Sequence, residues 1–173
     1  SMVHFLESIK PIVRIMEFGL LILLIIHTLN AIKLTIDNKK ISPAIYGKAK
    51  VATSSLNART MAISGSVILL FLFIHLGYIW LTYQAHDMAI NETYYDVLLR
   101  SQFGYLNHTP TAIFYIISIL SIAFHLKHGF QSAMKTFGLI HSSLFYYLGF
   151  IFWGIVPAGF IIIVLCIQTK VIQ

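Results

Sequence analysis

The chain has 173 residues, 58% hydrophobic and only 10% charged, with twelve Lys and Arg against six Asp and Glu for a formal charge of +6 and a mean hydropathy of +0.82. Soluble domains carry about 25% charged residues, so a water-facing surface cannot be covered and a secreted or cytosolic globule is excluded. A single Cys excludes a disulfide framework and a Cys-based metal cluster.

Long charge-free gaps locate the elements. A helix needs roughly 20 residues to cross about 30 Å of hydrocarbon. The first predicted span covers residues 11–35: Arg14 and Glu17 lie in its first turns, Lys33 near its end, and Phe18 to Ile32 is free of charge. Charged groups near a helix end snorkel to the interface. No cleavage site of small residues follows, and the apolar run ends in Asn38-Lys39-Lys40, so this is a retained helix and not a signal peptide. A polar loop, 36–58, rich in Lys, Ser and Ala, leads to the second span, 61–84, which lies in the gap between Arg59 and Asp87. The next loop, 85–108, carries Asn91-Glu92-Thr93 and Asn107-His108-Thr109, both matching a glycosylation pattern that is short and common by chance. The third span, 109–134, begins at Thr109-Pro110, a capping side chain followed by Pro at the first helical position. The fourth, 143–168, contains Pro157, which should bend it. Trp80, Tyr83 and Tyr105 fall where interfacial aromatics are expected. No internal repeat interrupts this pattern, and the expected fold is all-α, one membrane domain (1–173) of four transmembrane helices.

Basic residues orient the bundle. Lys33, Lys39, Lys40, Lys48, Lys50 and Arg59 lie between spans one and two, with Lys127 and Lys135 on the same side. Lys10, Arg14, Arg100 and Lys170 lie opposite, among most of the acidic residues. Positive charge marks the cytoplasmic side, so both termini are expected outside. The net charge is a topology signal, and no nucleic-acid binding is implied.

Histidines inside the membrane are the informative residues. His27, His75 and His125 each lie in an apolar span, and His128 lies one turn beyond His125; His4, His86, His108 and His141 fall in loops or at span edges. A lone intramembrane His often ties helices together, but ionisable groups at depth in three of four spans point to function. At 1.5 Å per residue, His27 lies about 9 Å before Lys33 and His125 about 15 Å before Lys135, both in the inner half. His75 lies about 24 Å past Arg59, in the outer half. His27 and His125 are therefore level, and His75 stands at another depth. A zinc site wants further Cys, Asp or Glu ligands, which that level lacks. Haem takes two axial imidazoles from opposing helices and needs small residues where it meets backbone. Ser118, Ser121, Gly129 and Ser132 share the face of His125, span two has Ser64, Gly65 and Ser66 at the inner level, and span one has Gly19 at the outer level. The alternative reading of such small residues is close helix packing.

Three stretches carry a family resemblance: Arg14-Ile15-Met16-Glu17-Phe18-Gly19-Leu20 leading to His27; Asn57-Ala58-Arg59-Thr60-Met61 leading to Leu72-Phe73-Ile74-His75-Leu76; and Phe124-His125-Leu126-Lys127-His128-Gly129-Phe130-Gln131-Ser132-Ala133. Over essentially its whole length the chain resembles the membrane-anchor cytochrome b subunit of succinate dehydrogenase or fumarate reductase, of the single-subunit, two-haem type. The last stretch is the most specific, with a ligand His four residues before a Gly, so the resemblance implies His125 and not His128 as the iron ligand. Family members have five spans and four ligand histidines, one on each of the first four spans. The four spans here match the last four, so the expected outer partner of His75 belongs to a helix that precedes Ser1-Met2-Val3 in the family, either missing from an incomplete chain or supplied from elsewhere.

The resemblance implies a haem b held by His27 and His125, a second at His75, and a membrane quinone, menaquinone being the expected one. It implies flavoprotein and iron–sulfur subunits as partners in a bacterial plasma membrane, with electrons passed between the iron–sulfur subunit and quinone. Loop 36–58 and the segment around Lys135 would dock the iron–sulfur subunit. Arg59, Lys33 and Ser64 are candidates for haem propionates, interface snorkelling being the equal alternative for the cations. The quinone pocket is not readable in the sequence; Glu7, Glu17 and His4 are the outer-side titratable groups to check for it. The sequence has no nucleophile–base pair, phosphate loop or acidic dyad, in keeping with an anchor that holds no dicarboxylate chemistry. A different class stays open: a haem-free four-helix transporter or scaffold whose histidines relay protons or tie helices.

Overall fold

The computed structural model describes residues 2–40, 56–85, 93–139 and 141–171. Most of the expected docking loop (41–55), His86, Asn91 and Glu92 lie outside the described residues, as do the side chains of His4, Glu7, Arg59 and Tyr83. The elements are α1 (Met2–Lys40), α2 (Leu56–His75), a π-helical turn (Leu76–Trp80), α3 (Leu81–Ala85), α4 (Tyr94–Leu98), α5 (Thr109–Thr136), α6 (Ser143–Phe150), a second π-helical turn (Ile151–Ile155) and α7 (Val156–Gln168). No strand occurs among the described residues, and four segments are long and apolar enough to cross a membrane: Pro11–Asp37, Thr60–Trp80, Thr109–Thr136 and Ser143–Gln168. The chain is an all-α membrane protein.

Two compact units divide it, Ser1–Ser54 and Ser55–Gln173. The described part of the first is α1 alone, which contains Pro11 and continues through Lys40, into the expected loop. Neither Gly nor Pro lies between Ile36 and Lys40 to break the helix. Near its start Arg14 Nη1 donates to Glu17 Oε2 at 2.7 Å, one turn along.

In the second unit α5 is the central helix. Its buried residues are Thr111, Ala112, Tyr115, Ser118 and Ile119, one face at the 3.6-residue period. Ala112, Tyr115 and Ile119 join Val164 of α7, and Phe71 and Ile74 of α2 pack against that cluster. Lipid tails are as apolar as Leu, so close van der Waals fit, not water exclusion, holds such helices. Small Thr, Ala and Ser on this face let the neighbours approach. The opposite face stays open, with Ile113 54% and Phe124 57% exposed, as a lipid-facing surface should be.

The last span changes its winding just before Pro157, from α to a π-helical turn over Ile151–Ile155. The Pro ring clashes with the carbonyl four residues back and lacks an N–H; the preceding turn widens, and the Val156 N–H reaches Ile151 five residues back. A second wide turn follows His75, with the Leu81 N–H on Leu76, and no Pro causes it. The start of α5 differs from expectation by one residue. His108 is the N-cap, its side chain accepting from the Thr111 N–H, because the Thr109 hydroxyl donates instead to Gln168 Oε1 at 3.0 Å.

A folded segment, 93–108, caps this end of the unit. Gln168 Nε2 donates to the Leu106 carbonyl at 2.7 Å, and the Gly104 N–H donates to the buried Thr111 hydroxyl at 3.1 Å. Gly104 has φ +96°, and a Cβ there would run into the Tyr78 ring. Gly138 also has positive φ, +72°, but nothing lies within 4 Å of a Cβ. Gly138→Ala should therefore cost only backbone strain, roughly 1–2 kcal/mol, whereas Gly104→Ala adds the collision and should cost distinctly more, measured by thermal unfolding in detergent.

Thr93 and Asp96 form a capping box at α4: Thr93 Oγ1 and N donate to Asp96 Oδ2 at 2.6 and 2.9 Å, and the Asp96 N–H donates to Thr93 Oγ1 at 3.2 Å. The Thr93 side-chain bond, then its backbone bond, holds the Asp96 carboxyl below the usual carboxylate range. A folded-state pKa below the unfolded one stabilises α4 above the unfolded pKa and loses that contribution as pH falls through the folded value. Protection of the Thr93 amide from hydrogen exchange, corrected for intrinsic rates, should accordingly fall on acidification, and Asp96→Asn should abolish that dependence.

Candidate functional site

Helices α2 and α5 run antiparallel, and each brings a histidine to the other. His125, from α5, lies against the start of α2: its Nδ1 is 3.2 Å from Ser64 Oγ, and a Cβ on Gly65 would lie 3.6 Å from its Cε1. His75, at the end of α2, lies against the start of α5, with Nδ1 3.5 Å from the Tyr115 hydroxyl. Ten residues separate Gly65 from His75 and Tyr115 from His125, so the two imidazoles occupy levels about 15 Å apart along the helices.

The two surroundings differ. At the His75 level the walls are aromatic: Phe71 stacks on the imidazole with centroids 5.2 Å apart and meets Tyr115 edge-on at 5.0 Å. Tyr115 is only 4% exposed. At the His125 level the opposing residues are the small Ser64 and Gly65, and the imidazole is half-buried.

Ser118 and Ser121 turn their hydroxyls back to the carbonyls of Phe114 and Ile117, at 2.7 and 2.9 Å. Gly129 has nothing within 4 Å of a Cβ position, and neither has Gly19. His27 and Lys33 lie on α1, and Arg59 in the first turn of α2. Glu17 is paired with Arg14. Lys127 places its Nζ 4.9 Å from the centre of the Trp153 ring, a cation–π contact, and His128 is half-buried one turn from His125. A cavity of about 240 Å³ between α5 and α6, lined by Phe130, Gln131, Phe145 and Trp153 among others, includes neither intramembrane histidine of this unit.

Sequence reasoning missed Tyr115 and Phe71. A tyrosine deep in an apolar span was the available signal, since a buried phenol needs a hydrogen-bond partner. Among the described residues no three of His, Cys, Asp and Glu are grouped closely enough to share a metal ion. What the second unit offers is one imidazole at each of two levels. Because the Gly65 position leaves ordinary contact room, Gly65→Ala should keep the fold and gain about 0.5–1 kcal/mol of helix stability. Gly65→Leu should displace His125 and shift its ring resonances, as histidine NMR would show.

Comparison of the chain with protein-family models, with curated proteins and with solved structures finds no match.

Proposed function

We propose that this chain is a haem b-carrying membrane anchor of a succinate:quinone oxidoreductase complex, a succinate dehydrogenase or fumarate reductase, in a bacterial plasma membrane. The observation that carries the reading is His125 facing Ser64 and Gly65 across the α2–α5 contact. A haem brings four nitrogen ligands of its own and asks the protein for one or two more, which suits single imidazoles at separate levels, no cluster of three metal-binding side chains being found among the described residues. In this proposal His27 and His125, level with each other by the rise along their spans, would hold the inner haem, and His75 would be a ligand of the outer one.

The proposed haem supplies one-electron carriage between an iron–sulfur subunit and a membrane quinone. The chain's own residues hold and orient it: imidazoles as ligands, small side chains giving room, and Arg59 and Lys33 as cations for propionates at the cytoplasmic side. The basic residues between spans one and two support a cytoplasmic face there, and the proposed topology has both termini of this chain outside. That face is the proposed dock for the iron–sulfur subunit, which the flavoprotein subunit feeds, and menaquinone is the proposed acceptor.

The test is optical. The purified chain should show the sharp reduced-minus-oxidised band of a low-spin bis-imidazole haem. His27→Ala or His125→Ala should abolish the inner-haem contribution, and His128→Ala should keep it. A colourless wild-type protein would favour the transporter or scaffold reading, and loss of the band in His128→Ala alone would move the ligand by one turn.

A further inference from the structure

The cavity between α5 and α6 is unused by the histidine levels described above. Two glycines shape its walls. A Cβ on Gly149 would meet the Phe130 ring at 2.5 Å, so that ring rests against α6 only because the position is bare. A Cβ on Gly154 would meet the Phe150 ring at 2.8 Å, and Trp153 stands edge-on to Phe150 at 5.0 Å. Phe130 and Trp153, with Phe145 and Tyr146, give the space aromatic walls, and Gln131 brings an amide to it. The volume, about 240 Å³, falls below the roughly 300–1,000 Å³ of pockets that enclose a whole small molecule. It suits one ring system whose remainder stays outside. Tyr146 is 56% exposed, so the space is open on that side.

Polar groups narrow the occupant. The Gln131 side chain makes no hydrogen bond among the described residues. Lys127, one turn earlier on α5, holds its Nζ 4.9 Å from the centre of the Trp153 ring. The spans Thr60–Trp80, Thr109–Thr136 and Ser143–Gln168 contain no Asp or Glu, so no carboxylate in them neutralises that cation. A saturated lipid chain would answer neither group, and an unmade hydrogen bond is costly in an apolar medium. A flat ring bearing carbonyl oxygens answers both and matches the walls. Gln131 lies five residues before Thr136, the last of α5, about 7.5 Å from the end of the helix, a depth that a lipid-soluble molecule reaches from the side. We infer that this cavity binds the ring of a lipid-soluble quinone, with the Gln131 amide donating to a carbonyl oxygen and Lys127 holding positive charge near the ring. The choice of a quinone among carbonyl-bearing rings rests on the function proposed above; the ring-and-carbonyl chemistry rests on the cavity. Gln131 is six residues beyond His125, about 9 Å along α5 from that proposed haem ligand.

The test uses the full chain in detergent carrying Trp80→Phe, which leaves Trp153 as the single tryptophan, with 2-methyl-1,4-naphthoquinone as the probe. Trp153 emission should fall saturably, whereas free tryptophan amide in the same detergent should show only linear quenching. In that background Gln131→Leu should weaken binding roughly 2–10-fold, the loss of one hydrogen bond, and Lys127→Met should weaken it as well. Gly149→Ala, whose methyl drives the Phe130 ring off α6 and into the cavity, should abolish the saturable phase. If that variant does not fold, Met134→Trp, read by displacement of the probe in equilibrium dialysis, fills the space from the α5 side instead. Linear quenching in the parent chain, or binding unchanged by the filling variant, overturns the inference. Loss in the filling variant with no change in Gln131→Leu would overturn the carbonyl contact and leave an apolar ring site. Haem binding without saturable quenching would refute the site and leave the proposed function standing. Saturable quenching in a chain that never binds haem would sink that function and leave the ring site in place.

Discussion

Hydrocarbon offers no hydrogen bonds, so every polar group carried into it must find a partner within the protein. That constraint organises the second unit. Hydroxyls of Ser66, Ser118 and Ser121 fold back on their own helices, which leaves the helix faces free to pack by shape. Among the described residues, groups that cross between helices include Ser64 with His125, Tyr115 with His75 and, at the end of the spans, Thr109 with Gln168. Polar contacts between spans are confined to a few positions, and the histidines occupy two of them.

The antiparallel pairing of α2 with α5 then fixes how those positions are distributed. Each helix presents a histidine near its C-terminal part and a hydroxyl partner nearer its start. Two levels result from one packing contact. The His75 level is closed by rings, with Tyr115 buried and Phe71 stacked, while the His125 level has small residues opposite. This asymmetry separates an imidazole walled by rings from one faced by small residues.

The four spans and the all-helical class are legible in the sequence because charge is costly in lipid and its absence over roughly 20 residues has few other causes. The altered winding near Pro157 is legible for an equally local reason, a missing N–H. The N-cap of α5 is not, since Thr109 and His108 are both able to cap and the choice turns on Gln168, far along the chain. The wide turn after His75 has no Pro to announce it. Ser64 could be singled out as a small polar residue at the right depth, but its partner is set by the rotation of α2 against α5. Tyr115 carries the reverse lesson: its hydroxyl was visible, and only packing shows that it meets His75.

The two π turns have a consequence for length. Each closes its hydrogen bond five residues back instead of four, at Leu81 to Leu76 and at Val156 to Ile151, so each houses one residue beyond the regular count while its backbone groups stay paired. A wheel drawn at 3.6 residues per turn through either segment falls out of phase with the real helix. Tyr78 can thus be delivered to Gly104 in the cap while His75, three residues earlier, is delivered to Tyr115. Single-residue insertions and deletions would be absorbed most cheaply at these turns, where gaining or losing one residue changes the winding and leaves the faces on either side intact.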